Sequence, residues 1–586
     1  ELPINKASPA DAAAAAGVSE AFVVQDLEEE ILLARHAWDS LERTGDEITN
    51  LLAGLEGKYV PPGPGGDPIQ RPDALPTGRN LYSLSPHEIP TRPAWDLACR
   101  MTDEFLAKFH AEHGRYPERL AFTMTGMETF RNMGVMEAQI LYLLGIRPEW
   151  SPGKLLSGLR VIPRHQLGRP RVDVIMSVNG IYLKDFAPCV RVLDEAVRMA
   201  VACDEPDNPI RRHSRNIEAE LRASGVNEDR ASLLSQTRIL GSEAGGAGAR
   251  LVWFLPRSGT WQDRTEVLEL WRAMRTHAYA GELWGEKLPE LHDKVYAGTE
   301  GVITNWSDNL LGPLTNHHYP EETGGLAMSI QALTGKRPDI SVFDLRQRDR
   351  ATAIGLEDVL SLELRATAFN RDWIVGQMKH GYAGATQFMQ LADNSFQWEA
   401  VREGAIWPGA WDRMVDVYVR DSLKLNIREF FDRHNPFAFQ ELTATLLETA
   451  RKGYWVADSE TVRELAIAHA DSVARFGHGA GPYAGGNQKL HTMLATTLSR
   501  PGDEQLRKSY LEKVDLAEKA RADIEAEDSP VAQHIAGQKM ESTVDAPILD
   551  SRPTVRKWSL YLAAGAVMLG LILVGYRFRV GGPPAA

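Results

Sequence analysis

The sequence predicts an α/β fold, in which parallel-sheet layers are followed by a mainly helical region and one C-terminal transmembrane helix. Three observations support this prediction. Short apolar runs alternate with helical patterns between residues 119 and 345, as in a parallel sheet covered by helices. Helical periodicity alone continues from residue 356 to residue 476. The uncharged segment 558–576 would span ~28 Å as a helix, enough to cross the hydrocarbon core of a bilayer.

Apolar spacing and capping signals predict the individual elements. Apolar residues recur at helical spacing over 26–43, and Thr44-Gly45-Asp46-Glu47 matches a capping box that opens a second helix. The Gly- and Pro-rich stretch 61–68 predicts a long irregular loop. In the α/β region the predicted strands are 120–124, 172–178, 251–255, 301–305 and 340–343, and the predicted helices include 136–144, 186–202 and 265–274.

These elements suggest five segments along the chain. They are an N-terminal helical segment 1–58, an α/β body 59–345, a mainly helical region 346–500, a charged stalk 501–550 and a transmembrane anchor with its tail, 551–586. Basic residues flank both ends of the anchor, so the sequence does not fix its orientation. We expect a chain that is fixed to a membrane by a single C-terminal helix.

Composition argues against several functional classes. The formal charge of −14 and the pI of about 5.7 argue against nucleic-acid binding, which needs a basic face. Cys99, Cys189 and Cys203 form no Cys-x-x-Cys pair, so they predict buried or partly buried thiols rather than a zinc or iron–sulfur site. The glycine cluster 245–248 lacks the form of a phosphate-binding loop, and we expect no intrinsic ATP site.

Five segments carry a resemblance to a known family. They are PPGPGGDPIQRPDALPTGRNLYSLSP at 61–86, RVDVIMSVNGIYLKDFAPCVRVLDEAV at 171–197, ILGSEAGGAGA at 239–249, MKHGYAGATQF at 378–388 and HNPFAFQELTATLLETARKGYW at 434–455. In this order they resemble the C-terminal half of the family formed by the cobaltochelatase large subunit and the H subunit of magnesium chelatase. The family's amino-terminal half has no counterpart here, so we expect a split subunit or a fragment.

The resemblance implies a tetrapyrrole substrate, haem or a corrin precursor, and a divalent metal, cobalt or iron. Cobalt insertion is the family default, and separate AAA+ subunits supply the energy of ATP in relatives that insert metals. The added segment 477–494 and the membrane tail resemble membrane-anchored relatives. That branch implies anaerobic removal of iron from haem, with membrane partners of the ExbB/TolQ type. A non-catalytic tetrapyrrole-binding or transport adaptor stays open as a third alternative.

One departure from the family concerns its favoured active-site acid. Relatives carry a glycine–glutamate pair within the segment aligned with 125–139, whereas here Gly134 is followed by Val135. Glu128 and Glu137 lie close by in sequence, and we expect them to substitute as general acid or base.

The best candidate site is the polar cluster between Asp308 and Glu322. His317 and His318 are the predicted catalytic residues and, with Asp308, the predicted metal ligands, because imidazole and carboxylate suit proton transfer and transient metal binding. Adjacent side chains diverge on a helix or a strand, so at most one of the two histidines is expected to face a site squarely. A polar surface turn is the alternative interpretation.

Substrate-binding residues are predicted in two other places. Arg71, Arg79 and Asn80 suit substrate carboxylates, since Arg binds them in a bidentate manner, although hydrogen bonds that fix the loop are an alternative. His380 and Tyr382 flank a glycine that would let the backbone approach a ligand closely.

Two further histidines lie towards the end of the helical region. His469 recurs with Leu465, Val473 and Phe476 on one helical face, which predicts a packed histidine. His478 lies in a glycine-rich loop, and a functional role there is a further hypothesis.

Overall fold

The computed structural model describes residues 35, 37–65, 74–82, 84–152, 155–243, 251–479 and 481–526 of the 586-residue chain. Arg71 and the predicted transmembrane segment lie outside these ranges. Inside them, no helix combines the length and the apolar character needed to cross a bilayer. The chain divides into two units, Glu1–Arg365 with Asp393–Ala410 and Ala366–Ala392 with Trp411–Ala586.

Within the described ranges, the strands in chain order are β1 (Pro62–Pro64), β2 (Asn80–Tyr82), β3 (Arg119–Met124), β4 (Ile146–Trp150), β5 (Leu156–Val161), β6 (Asp173–Val178), β7 (Ile239–Gly241), β8 (His277–Ala280), β9 (Leu283–Lys287), β10 (Gly301–Trp306), β11 (Asp339–Asp344) and β12 (Thr352–Gly355). Eight of them form one mixed sheet in the first unit, in the order β12-β11-β10-β3-β6-β7-β8-β9. Neighbours among β11, β10, β3, β6 and β7 pair in parallel, whereas β12, β8 and β9 join the edges by antiparallel pairing.

The helices of the first unit that the structure describes are Asp46–Leu55, Arg92–His113, Gly126–Asn132, Val135–Leu144, Arg164–Leu167, Gly180–Asp185, Ala187–Ala202, Pro209–Ala223, Glu228–Ser235, Leu251–Phe254, Arg264–Met274, Pro289–Tyr296, Gly325–Thr334 and Leu356–Ala366. A π-helical turn, Pro320–Gly324, runs directly into Gly325–Thr334. The second unit is described as helical, with Arg371–Met378, Ile427–His434, Pro436–Arg451, Ser459–Phe476, Gln488–Thr497 and Glu504–Ala526. Helix Tyr382–Val401 passes from the second unit to the first, and helix Gly409–Tyr418 returns.

The central strands are apolar because they are buried along their whole length. All six residues of β3, of β6 and of β10 are buried, as expected for parallel strands covered by helices. The predicted strands 120–124, 172–178, 301–305 and 340–343 are confirmed. The short edge strands and β7 were not predicted, since three to five residues carry too little periodicity to identify a strand.

Three local predictions are wrong. The stretch 61–68 was predicted as a long irregular loop, but Pro62–Pro64 is a strand, β1, that pairs in parallel with β2. Residues 251–255 were predicted as a strand, but Leu251–Phe254 is a helical turn with Leu251 buried and Trp253 71% exposed. A short apolar run cannot be assigned to strand or helix from periodicity alone. The capping box is absent as well, because the turn Arg43–Gly45 leads directly into helix Asp46–Leu55 and no side chain caps it.

A buried ionic network ties together the amino-terminal ends of β3 and β6. Asp173 accepts hydrogen bonds from Arg119 at 2.9 Å and Arg238 at 2.8 Å, and His213 Nδ1 lies 2.8 Å from the same carboxylate. Burial alone would raise the pKa of Asp173, but the two arginines outweigh it and lower this pKa. The network stabilises the end of the sheet opposite the candidate site.

An aromatic cluster forms part of the core of the second unit. Phe388 packs against Tyr418, Phe430 and Phe431, with ring centroids 5.3–6.0 Å apart. Helix Pro436–Arg451 is buried at every position from 438 to 449, so it is the central helix of this unit. The three cysteines are free thiols, buried or partly buried as predicted.

Candidate functional site

The order of the parallel strands reverses between β3 and β10. From β3 the chain moves to β6 and then β7 on one side, and it later returns to β10 and β11 on the other side. In open α/β sheets, ligands bind at the carboxyl ends of the strands on either side of such a switch point. The candidate site is built at this switch point.

An arginine joins the loops that follow the two strands. Helix Gly126–Asn132 follows β3 and carries Glu128 and Arg131, while Asp308 follows β10. Arg131 contacts Glu128 at 3.3 Å and Asp308 at 2.7 Å, and all three side chains are at most 15% exposed. Burial raises the pKa of Glu128, and Arg131 offsets part of that rise. The structure thus brings two predicted site residues together through Arg131, which sequence reasoning missed.

Asp308 also shapes the loop that follows β10. Its Oδ1 accepts hydrogen bonds from the backbone N–H groups of Leu310 and Leu311, at 2.6 and 3.0 Å. Its Oδ2 faces Arg131. Both oxygens therefore have structural partners, and a role of Asp308 as a metal ligand stays a prediction.

The departure from the family lies at the start of helix Val135–Leu144. Gly134 has a φ of +90°, and a Cβ there would lie 2.7 Å from Ile89, so this position requires glycine. Val135 is buried, and its N–H donates to Asn132 Oδ1 at 3.0 Å. No carboxylate occupies the position where relatives are expected to have one.

Glu137 lies two residues after Val135, in the first turn of this helix, and is 1% exposed. Its Oε1 accepts hydrogen bonds from Thr129 at 2.8 Å and Tyr182 at 2.9 Å, and its Oε2 has no hydrogen-bond partner in the described structure. Burial raises its pKa. Glu137 is therefore a buried carboxyl group that takes up a proton more readily than an ordinary glutamate.

The π-helical turn Pro320–Gly324 places two adjacent acids at the carboxyl end of the sheet. Glu321 and Glu322 are both buried, and Thr323 Oγ1 lies 3.1 Å from Thr123 Oγ1 in β3. Glu321 Oε1 accepts a hydrogen bond from the N–H of Leu251 at 3.2 Å. Single π turns often occur at functional sites. Two acids directly before an apolar glycine pair were the sequence signal for this feature.

Arg275 holds the second of these acids. It is fully buried, donates to Glu322 Oε2 at 2.7 Å and to Ser242 Oγ at 2.5 Å, and reaches the carbonyl of Val178 at 3.3 Å. Since Val178 ends β6 and Ser242 follows β7, Arg275 fixes the turn to two more strand ends. Burial raises the pKa of Glu322 although Arg275 opposes it.

His317 and His318 lie beside these acids and are both exposed in part. Their ring centroids are 4.5 Å apart, and His318 Nδ1 lies 3.8 Å from Glu321 Oε2. Glu321 raises the pKa of His318, whereas burial and the neighbouring His318 lower the pKa of His317. The two rings lie side by side rather than diverging, and His318 is the one with a ring nitrogen close to the Glu321 carboxylate. Which of the two histidines faces a site stays a prediction.

The loop with the two histidines is fixed by a carboxyl group on helix Leu356–Ala366. Glu363 Oε2 accepts a hydrogen bond from Leu314 N at 2.7 Å, and Glu363 Oε1 lies 3.4 Å from Thr315 Oγ1. Trp398 Nε1 donates to the carbonyl of Pro313 at 2.8 Å. Burial raises the pKa of Glu363 to about 7. Glu363 lies on a separate helix, far along the chain from Asp308, so no sequence pattern indicated that it contacts this loop.

The predicted substrate-binding residues fall in different places. Arg79 lies against Gly63, and Asn80 Nδ2 donates to the carbonyl of Val60 at 3.5 Å, so both belong to the ribbon formed by β1 and β2. His380 and Tyr382 are exposed in the second unit, and Tyr382 is 66% exposed. A substrate role for these four residues, and for Arg71 outside the described ranges, stays a prediction.

Two buried polar groups at the site keep atoms that lack a partner. Asn305 lies at the end of β10, and both polar atoms of its side chain are buried without a hydrogen-bond partner in the part of the chain that the structure describes. The same is true of Oε2 of Glu321. Buried polar atoms are almost always paired, because an unpaired one costs about 1–3 kcal/mol. These atoms therefore leave hydrogen-bonding capacity at the site, and His318 Nδ1 lies 3.8 Å from Glu321 Oε2.

The fold and the site define an α/β protein that carries a buried acid–base group at the switch point of its central sheet. The chain belongs to the CobN/Magnesium Chelatase family, whose family model matches residues 5–462. It is 30% identical to the aerobic cobaltochelatase subunit CobN of Sinorhizobium sp over 72% of this chain and 33% of that protein. It is also 30% identical to the H subunit of magnesium chelatase from Rhodobacter capsulatus, over 73% of this chain and 35% of that protein.

A solved structure shows the same fold. The catalytic subunit of cobaltochelatase from Mycobacterium tuberculosis superposes with a TM-score of 0.71 at 29% identity, over 79% of this chain and 38% of that one. The chain thus spans about a third of the length of the curated relatives it matches.

Proposed function

We propose that this chain is a chelatase-type subunit that moves a divalent metal ion into or out of a tetrapyrrole, with cobalt insertion into a corrin precursor as the default reaction. The pairing of His318 with the buried carboxylate of Glu321, at the switch point of a chelatase-family sheet, is the observation that carries the proposal. The chain spans about a third of the length of the curated relatives it matches, so the activity is proposed for the complex that contains this chain.

The proton chemistry of insertion suits His318. As a divalent metal enters, two pyrrole N–H groups lose their protons, and a base near the macrocycle must accept them. Glu321 raises the pKa of His318, which makes its imidazole a better base, and the 52% exposure of this side chain lets it pass protons to solvent. Glu321 is the positioning residue in this scheme, since it acts through His318.

His317 suits the metal ion, which is a substrate of this reaction. The lowered pKa of His317 keeps its imidazole neutral near pH 7, and the neutral ring is the form that binds a metal. The two histidines would then have different roles, because His317 binds the ion while His318 accepts the protons. The raised pKa values of Glu128 and Glu137 suit a second proton acceptor or donor nearby.

Binding is tested by titrating the intact complex with a tetrapyrrole and following the absorbance. Turnover is tested by adding the metal ion and the partner subunits. We expect binding by the wild-type complex and a rate that falls by about 10²–10⁴ in His318→Ala, the usual contribution of a general acid or base. His165→Ala, an exposed histidine of the same unit, is the matched control. Absence of tetrapyrrole binding would contradict the proposal, and binding without any metal exchange would favour the adaptor function.

Removal of iron from haem is the second candidate, and Val135 favours it. The buried valine stands where the inserting relatives are expected to have an acid, so ordinary insertion lacks that group. In the reverse direction the imidazolium of His318 would give a proton to a pyrrole nitrogen as the iron–nitrogen bond breaks. The protonated carboxyl of Glu128 would give the second proton, and the ion leaves as Fe²⁺ after an external reductant has supplied an electron to ferric haem.

Anaerobic incubation of the complex with haem and a low-potential reductant separates the two candidates. Metal-free porphyrin, identified by absorbance and mass and lost in the variant with both His317 and His318 changed to Ala, would support removal. Unchanged haem together with ATP-dependent cobalt insertion would support the default reaction.

The membrane anchor and its partners are part of the same proposal. Residues 558–576 would hold the chain on a bilayer beside AAA+ chelatase subunits or ExbB/TolQ-like membrane proteins. Membrane fractionation of the full chain and of a chain that ends at residue 550 tests this point. We expect the full chain in the membrane fraction and the shortened chain in the supernatant.

A further inference from the structure

Three histidines meet in the second unit, away from the residues used above. His469 lies on helix Ser459–Phe476, His478 in the loop that follows it, and His491 on helix Gln488–Thr497. The rings of His478 and His491 are 5.3 Å apart, and the rings of His469 and His491 both pack against Tyr510, at 5.9 and 6.0 Å. His469 is packed as predicted, but its neighbours are two other imidazoles.

The hydrogen bonds of His469 leave one nitrogen with a free lone pair. Its Nδ1 lies 3.2 Å from the carbonyl oxygen of Gln440 and 3.0 Å from Thr443 Oγ1. Because a carbonyl can only accept, Nδ1 carries the hydrogen and Nε2 carries the lone pair. That Nε2 is buried and has no hydrogen-bond partner within the described residues. A backbone carbonyl that fixes Nδ1–H in this way is the usual second partner of a metal-bound histidine.

The other members of the cluster present similar atoms. His491 Nδ1 pairs with Tyr510 Oη at 2.7 Å, while its Nε2 is buried and unpaired among the described residues. Both ring nitrogens of His478 are buried and unpaired in the same sense. Glu518 Oε1, also unpaired there, lies 4.0 Å from His491 Nε2. Four side chains thus direct unsatisfied donor or acceptor atoms into one region.

The loop that carries His478 is held on both sides by one side chain. Gln440 Nε2 donates to the carbonyl of Gly477 at 2.9 Å, and Gln440 Oε1 accepts from the N–H of Gly479 at 2.9 Å. Gly477 has a φ of +89°, a backbone conformation that residues other than glycine rarely adopt. Two hydrogen bonds therefore fix the backbone on either side of His478.

A purely structural role does not explain this arrangement. Each buried, unpaired imidazole nitrogen costs about 1–3 kcal/mol, and apolar side chains of similar size would avoid that cost. Burial lowers the pKa of His469 to about 3 and those of His478 and His491 to about 4. All three rings are therefore neutral near pH 7, which is the state that binds metal ions.

We propose that His469, His478 and His491 bind a divalent transition-metal ion, with Glu518 as the fourth ligand. No three His, Cys, Asp or Glu side chains in the described ranges already stand in ligand geometry, so the imidazole of His478 turns on binding. The distance between the rings of His478 and His491 suits a shared ion. With metal–nitrogen bonds of about 2.1 Å, two imidazoles on one tetrahedral ion have ring centres about 5 Å apart.

The ligand set indicates the class of ion. Imidazole nitrogens with one carboxylate suit Co²⁺, Zn²⁺, Ni²⁺ or Cu²⁺ rather than Mg²⁺ or Ca²⁺, which prefer oxygen. The site lies in a different unit from His317 and His318, and the proposal does not depend on the tetrapyrrole function.

Equilibrium dialysis of the full chain, purified without a histidine tag, against Co²⁺ tests this site, and visible absorption reports on coordination. We expect three variants to lose one bound equivalent of Co²⁺, namely His478→Ala, His478→Gln and His491→Ala. Each should bind that equivalent at least about tenfold more weakly than the wild type. His318→Ala and the exposed His165→Ala are expected to keep that equivalent. His478→Gln preserves size and polarity in a loop, and unchanged thermal melting of the metal-free variant shows that it folds.

Two results would overturn the proposal. One is equal Co²⁺ stoichiometry and affinity in the wild-type chain and in the folded His478→Gln variant. The other is loss of the equivalent in His318→Ala while the His478 and His491 variants retain it.

Discussion

The candidate site in the sheet unit and the histidine cluster in the helical unit bury polar side chains in different ways. At the candidate site, two buried carboxyl groups lie beside arginines, Glu128 beside Arg131 and Glu322 beside Arg275. In the helical unit, His469 and His491 are buried with no carboxylate within hydrogen-bonding distance of an imidazole nitrogen among the described residues. The first arrangement keeps a charge in the interior by pairing it, and the second removes the charge by lowering the pKa.

This difference separates two kinds of chemistry. Burial raises the pKa values of the carboxyl groups, so these groups take up a proton more readily than an ordinary glutamate and suit proton exchange. The histidines of the helical unit have lowered pKa values and stay neutral, so each ring keeps one nitrogen lone pair that can bind a metal ion. The sheet unit is therefore suited to acid–base work, and the helical unit to binding an ion.

Removal of Arg275 is expected to have the largest effect on stability. Arg275→Met leaves buried Glu322 without its cation and Ser242 without a donor, which should lower the free energy of unfolding by about 3–5 kcal/mol. Urea unfolding followed by tryptophan fluorescence measures this loss. Arg160→Met breaks an exposed ion pair with Glu149 and should cost less than about 1 kcal/mol. Equal losses of unfolding free energy in the two variants would show that the buried ion pair stabilises the fold no more than the exposed one.

Glu363 is expected to make stability depend on pH. Its pKa is about 7 in the folded chain and 4.5 in the unfolded chain, so the folded state binds the proton more tightly. The stabilisation is present below about pH 4.5 and is lost as the pH rises through 7, a difference of about 3 kcal/mol. Glu363→Gln should melt higher than the wild type at pH 8 and close to it at pH 5. A constant difference between pH 5 and pH 8 would contradict the raised pKa.

In the helical unit, Gln440→Ala should destabilise the loop that carries His478. The variant loses hydrogen bonds to Gly477 and Gly479 on either side of that histidine, and about 2 kcal/mol of stability with them. Gln387→Ala, which changes an exposed glutamine of the same unit, should cost less than about 0.5 kcal/mol. Chemical denaturation compares the two, and hydrogen exchange of the loop shows whether the loss is local. Equal exchange rates in Gln440→Ala and the wild type would be the contrary result.

The smallest effect is expected at Tyr382. Its side chain is 66% exposed, so Tyr382→Ala should change the free energy of unfolding by less than about 0.5 kcal/mol. If Tyr382 binds substrate as the sequence predicts, the tetrapyrrole dissociation constant should rise severalfold at unchanged stability. An unchanged dissociation constant would remove Tyr382 from the substrate site.

The sequence predicted the parts of this molecule that depend on local pattern. The central strands β3, β6, β10 and β11 were predictable because buried parallel strands are continuous apolar runs. Helix Ala187–Ala202 was predictable from its spacing. The short outer strands β8, β9 and β12 were not predicted, because each takes its conformation from its neighbours in the sheet.

The same contrast applies to the site. Glu128, His317, His318 and Asp308 were predicted because acids and histidines are residue types suited to proton transfer and metal binding, and their roles stay predictions. Arg131, Arg275 and Glu363 were missed, because their importance comes from partners far along the chain that the fold brings together. A sequence can indicate which groups could react, but the opposite charges that tune them are fixed by tertiary contacts.

The pH dependence of metal insertion in Glu321→Gln tests the acid–base account most directly. Glutamine keeps an oxygen to accept from Leu251 N but loses the charge that raises the pKa of His318. We expect a lower turnover and an acidic limb of the pH–rate profile displaced to lower pH, with the tetrapyrrole dissociation constant unchanged. Glu149→Gln, an exposed control, should leave both the profile and the rate as they are in the wild type. Identical pH–rate profiles for Glu321→Gln and the wild type would contradict the account.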